Sequence, residues 1–94
     1  MIIKFENLGK SLGTRFLGAE IREKVEANIE NGEKIIFDLE NVDLVSNSFA
    51  DECFGKLIIK FNIETIKKNT SFINVNSLNE KIILKAINDR IKLI

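Results

Sequence analysis

The chain has 94 residues, 45% hydrophobic and 30% charged, and its 14 Lys plus Arg balance its 14 Asp plus Glu. That length limits it to a single domain spanning 1–94 around one core, and the charge balance removes the simplest electrostatic argument for a nucleic-acid or anionic-membrane partner. No run approaches the roughly 18 uninterrupted apolar residues of a membrane helix. The stretch MIIKFENLGK carries Lys4 and Glu6 where a secretory signal needs an apolar segment. The one cysteine, Cys53, cannot close an internal disulfide and fits a reducing compartment. The expected location is the cytoplasm.

Elements then alternate along the chain. Ile2 to Phe5 is a β-rich run ending in a turn at Asn7 to Gly9. From about 14 to 30, Leu17, Ile21, Val25 and Ile29 recur every four residues among charges, one apolar stripe of an amphipathic helix, and Asn31-Gly32 suits the left-handed turn that follows a helix end. Lys34 to Leu39 reads as a second strand, in which consecutive Ile35, Ile36 and Phe37 suggest burial on both faces of a parallel sheet. Val42 to Val45 either extends that strand or bends it. A second helix is expected from Phe49 to about Phe61, with Phe54, Leu57, Ile58 and Phe61 at spacings of three and four. Gly55 inside it marks a close helix contact or a tolerated weak point. Thr70 to Val75 reads as a further strand. Ser77 to Glu80 then has the form of a capping box that opens a third helix bearing Ile82, Ile83, Ala86 and Ile87. Strands followed by helices, without hairpin signals, predict a small α/β fold: a mostly parallel sheet covered by about three helices.

The stretch Asp43 to Gly55, DLVSNSFADECFG, is where strand turns to helix. Ser48 stands where an N-cap belongs, with Asp51 three residues on to shield the first-turn amides and Glu52 adding favourable charge. A helix start at the carboxyl edge of a parallel strand is also where α/β folds bind anions and ligands. Capping and a regulated phosphate site both account for these residues.

The segment IIFDLENVDLVSNSFADECFGKL resembles the centre of a STAS domain, the fold of sulfate-transporter tails and anti-sigma factor antagonists. SFADE followed by FGKL is similar to a group of small bacterial STAS-like proteins without an assigned function. The likeness is strongest over residues 35 to 61 and continues more weakly from Gly13-Thr14-Arg15 to Arg90. In the antagonist branch the turn reads Asp-Ser-Ser-Gly, and its second Ser is phosphorylated by a kinase that is also the anti-sigma factor. The resemblance therefore implies Ser48 as candidate phosphoacceptor and a kinase-like ATP-binding protein as partner. Ser46 replaces the Asp, and Phe49 replaces the Gly.

Asp38, near a strand end, reads as a turn or ligand-edge residue. Asp51 and Glu52 are adjacent and so point about 100° apart on a helix, which favours capping, solvation or partner contact over acid–base catalysis. Arg15 opposes the dipole in the first turn of its helix, so it either pairs with a carboxylate, for which Asp51 is the candidate, or stands exposed. Gly9-Lys10-Ser11 lacks the Gly five positions earlier that a P-loop needs, since Lys4 is there. Cys53 has no His in the chain to serve as base or co-ligand, which points to buried packing. Phe49 is expected to turn into the core; an exposed ring would be a protein contact instead. The leading expectation is a non-enzymatic interaction or regulatory module that needs no cofactor and no metal. Its expected partner edge is built from Asp38, Ser46, Asn47, Phe49, Asp51 and Glu52, with Ser48 as switch. A small-molecule or nucleotide binder using the edge from Asp38 to Ser48 is the alternative, and an enzyme ranks last.

Overall fold

The computed structural model describes residues 1–94. The fold is built on β3 (Ile35–Asp38), which lies between β1 (Ile2–Lys4) and β5 (Thr70–Ile73) with both neighbours parallel to it. Register places Ile3, Phe37 and Phe72 in one row, and this row faces the core. Side chains alternate across a strand, so Ile2, Ile36, Ser71 and Ile73 stand on the other face, where Ile2 and Ile73 are exposed and Ile36 is half-buried. The expected burial of both sheet faces is thus corrected. That second face is the less covered of the two.

Two further short strands, β2 (Ser11–Leu12) and β4 (Leu44–Val45), form a separate parallel pair. The segment around Val42 to Val45 therefore bends away from β3 instead of extending it. Each crossover between parallel strands carries helix. α1 (Arg15–Glu30) links β1 to β3, starts at Thr14, whose side chain accepts from the Leu17 amide at 3.2 Å, and ends before Gly32 at φ +76°. Ile21, Val25 and Ile29 are buried as the stripe requires.

The second helix begins two residues earlier than its sequence suggests and is not uniform. α2 (Asn47–Ala50) passes into a π-helical turn, Asp51–Gly55, and then into α3 (Leu57–Lys60). In that turn the Lys56 amide donates to the Asp51 carbonyl at 2.8 Å, a five-residue step. Next comes α4 (Ile63–Asn69), capped by Asn62, which the sequence reading left unassigned and which, with α2, the π turn and α3 counted as one helix, brings the helices to four where about three were expected. α5 (Ser77–Lys92) closes the chain. Its N-cap is Asn76 and not Ser77: the Asn76 side chain accepts from the Asn79 amide at 2.8 Å, while Glu80 is exposed. That register turns Asn79 fully inward, where it accepts from the Val45 amide at 3.0 Å and donates to the Val42 carbonyl at 3.0 Å. Those two bonds anchor β4 to α5.

Phe5, Phe37, Phe49, Phe54 and Phe72 meet at the centre, with neighbouring ring centroids 4.9 to 6.3 Å apart in tilted and edge-on pairs. No helix is long and apolar enough to cross a membrane.

Candidate functional site

The helix that opens at Ser46 runs between α1 and α5, and its π turn packs against both. Two glycines permit that approach. A Cβ on Gly18 of α1 would lie 2.9 Å from the Glu52 Cβ and 3.0 Å from the Phe49 carbonyl. One on Gly55 would lie 3.0 Å from the Ala86 carbonyl of α5. Gly55 is therefore a close contact and not merely a tolerated weak point.

The cap is Ser46. Its hydroxyl accepts from the Phe49 amide at 3.0 Å and donates to the Gly13 carbonyl at 2.9 Å, tying the entry of α2 to the entry of α1. The capping role read for Ser48 is corrected accordingly. A helix opening at Ser46 places Phe49 and Ala50 on the inner face, fully buried, and leaves Ser48 half-buried on the outside. The Ser48 hydroxyl makes no hydrogen bond within the chain. It lines an open groove of about 240 Å³ together with Asn47, Asp51, Arg15 from α1, and Ile82, Lys85, Ala86 and Asp89 from α5.

Asp51 and Glu52 do not cap the helix. Asp51 accepts from Arg90 through Nε and Nη2, each at 2.7 Å, and from Arg15 at 2.8 Å. Glu52 turns the other way, toward α1, and accepts from Lys56 at 2.6 Å, Arg22 at 2.8 Å and Arg15 at 3.3 Å. Arg22 also donates to the Glu52 backbone carbonyl at 2.9 Å. The Arg90 fork holds the Asp51 carboxyl well below the usual range, with Arg15 adding to it. Lys56 first and Arg22 next lower that of Glu52. Arg15, which opposes the dipole of its own helix, is compensated because its guanidinium bridges both carboxylates. Each carboxylate also ties the π turn to a flanking helix.

The sequence-predicted residues thus divide. Asn47, Ser48 and Asp51 share the groove. Ser46 is the cap, Phe49 is in the core, and Glu52 lies against α1. Asp38 lies apart from the groove: it accepts from the Asn74 side chain and the Glu40 amide, each at 3.0 Å, and those two bonds in that order lower its pKa. Asn74 is left-handed at φ +57°, so Asp38 organises two turns at the carboxyl end of the sheet. Cys53 is fully buried, and burial pushes its thiol up. No group of three or more Cys, Asp or Glu side chains is placed to hold a metal ion.

Lys85 and Asp89 of the groove escaped the sequence reading, as did one exposed aromatic. Phe16, beside Arg15 in the first turn of α1, is 77% exposed, whereas five of the seven Phe meet in the core. The signal was its position: it falls off the Leu17, Ile21, Val25, Ile29 stripe.

A three-stranded parallel sheet with a serine-bearing turn opening the helix after β3 is the arrangement expected from the resemblance. No curated protein and no solved structure was found to match the chain. The family described as a STAS-like domain of unknown function (DUF4325) matches residues 18–80, from the glycine against which the π turn packs to the first turn of α5. With more than half of its length so matched and the fold in agreement, the chain belongs to that STAS-like family.

Proposed function

We propose that this domain is a non-enzymatic regulatory module that binds a protein partner over the Ser48 groove and is released by phosphorylation of Ser48. One observation carries the reading. Of the two turn serines, Ser46 has its hydroxyl committed to the cap and to Gly13, while the Ser48 hydroxyl is unbonded and opens onto the groove. A kinase-like ATP-binding partner would transfer the γ-phosphoryl of ATP to the Ser48 oxygen, releasing ADP, with the hydroxyl proton taken by a base on the kinase. The phosphate adds roughly −1.5 to −2 charges to a groove already lined by Asp51 and Asp89. A surface that met the partner near neutrality would then repel it. Phe16, exposed one residue from Arg15, supplies the kind of aromatic anchor on which protein interfaces depend.

The groove suits a protein surface better than a drug-sized ligand. Its volume of about 240 Å³ falls below the roughly 300–1,000 Å³ of small-molecule pockets, and two of its eight lining residues are hydrophobic. A kinase-like protein encoded beside the domain's own gene is the partner to test. Ser48→Ala is expected to keep binding and Ser48→Asp to lose it with melting unchanged, and mass spectrometry of the native chain is expected to find phosphate on Ser48. Equal binding by both variants, with no phosphate on Ser48, would reject the switch.

A further inference from the structure

The ion network beneath Ser48 holds more cations than it needs. Four cationic side chains, Arg15, Arg22, Lys56 and Arg90, converge on two carboxylates, Asp51 and Glu52. Glu26 adds one distant contact to Arg22, at 3.8 Å. Arg15 is the redundant member. Asp51 keeps the Arg90 fork without it, and Glu52 keeps Arg22 and Lys56. Arg15 is also the most exposed cation of the network, with 53% of its side chain accessible against 17 to 30% for the others.

Ser48 and Asp51 are one helical turn apart, which brings their Cβ atoms to about 5–6 Å of each other. The Arg15 guanidinium on Asp51 Oδ2 is therefore already within reach of a group attached to the Ser48 oxygen, and both residues line the same groove. We infer that Arg15 is the internal receptor for a phosphate on Ser48, leaving Asp51 and Glu52 to form a charge-assisted fork with the phosphoryl oxygens. A phosphate offers more charge and more acceptor oxygens than a carboxylate that already serves Arg90. The exchange removes a cation from the bridge between α1 and the π turn while both carboxylates stay paired, so the groove changes and the core does not. Lys85, the other groove cation, is held by Asp89 at 2.7 Å on the far side, on α5. This inference rests on Ser48 being the phosphorylated residue, but its geometry can be tested without a kinase or a partner.

The test installs phosphoserine at position 48 of the full chain during synthesis and follows the phosphate by phosphorus NMR as pH is varied. Its second pKa is expected to be lower with Arg15 present than in Arg15→Gln, by roughly half a unit to one unit, as an adjacent guanidinium favours the dianion. Lys85→Gln, also at the surface, is expected to move it less. An unchanged titration in Arg15→Gln, or a larger change in Lys85→Gln, would overturn the assignment of Arg15. That failure leaves the proposed switch standing if native Ser48 carries phosphate, whereas an Arg15-dependent titration stands even if no kinase acts on Ser48, so the two ideas fail separately.

Discussion

Replacing each turn serine by alanine separates the structural hydroxyl from the available one. Ser46→Ala removes the acceptor of the Phe49 amide and the donor to the Gly13 carbonyl. Loss of an N-cap costs about 0.5–2 kcal/mol, and the second bond, partly open to solvent, adds about 0.5–1 kcal/mol, which places the variant at about 1–3 kcal/mol. In a domain of this length 1 kcal/mol shifts the melting temperature by roughly 4–8 °C. Ser48→Ala removes no hydrogen bond and substitutes a better helix former, worth a few tenths of a kcal/mol at about half a unit of propensity. Its unfolding midpoint should stay level or rise slightly. Urea unfolding followed by circular dichroism measures both. A Ser48→Ala loss equal to or larger than that of Ser46→Ala would refute the placement of the cap, and with it the claim that Ser48 is free.

Three further outcomes follow from the core and the ion network. Phe49→Ala should destabilise by about 3–5 kcal/mol, a large share of the roughly 5–15 kcal/mol of a domain, because the ring is fully buried against Phe5 and Phe54; unchanged melting would place the ring outside the core. Gly18→Ala gains about 1 kcal/mol of helix propensity but drives a Cβ to 3.0 Å from the Phe49 carbonyl, backbone that cannot swing aside. With overpacking at about 1–3 kcal/mol, thermal melting should show a net loss. Asp51 and Glu52 have lowered pKa values, so the stability they give is complete above their unfolded values near 4 and is lost as pH falls through the folded ones. Asp51→Asn should therefore be less stable than the parent at pH 7, by about 1–3 kcal/mol, and the gap should narrow in denaturant titrations run at successively lower pH below about 4.

What was legible in the sequence was whatever repeats with a period. The stripe of α1 and the apolar run of β3 each carry several residues that agree, so the elements emerge within a residue or two. Boundaries set by one side chain were not legible. Ser46 and Ser48 are both acceptable caps, as are Asn76 and Ser77, and the choice is made by which register buries Phe49 and Asn79. The π turn inserts one residue into a helical period and leaves no local mark beyond Gly55, whose fit depends on a carbonyl of α5 far along the chain. The pair β2 and β4 is two residues long in each strand, too short for alternation to be read. At the site, charge reasoning offered Asp51 as a candidate partner of Arg15, because a cation at a helix start asks for one, and left an exposed, unpaired Arg15 equally open. It could not find Arg90, which lies near the other end of the chain and reaches Asp51 only once α5 has docked.

The two-residue displacement of the cap also leaves the Ser48 hydroxyl outside the capping bonds. Had Ser48 been the N-cap, its hydroxyl would have been tied to a backbone amide. With Ser46 as cap, the first turn is closed by a residue that faces Gly13, and Phe49 anchors it in the core. Ser48 is then held by a rigid turn without contributing to it. Below it, Asp51 and Glu52 are each satisfied by more than one cation. A charge added at Ser48 can therefore draw on Arg15 without stripping either carboxylate bare. Core packing resides on the inner face of this helix, through Phe49 and Ala50, while its outer face carries the Ser48 hydroxyl over the groove and the Asp51 ion pairs beside it, so a charge proposed at Ser48 would act on the ion pairs before it reached the core.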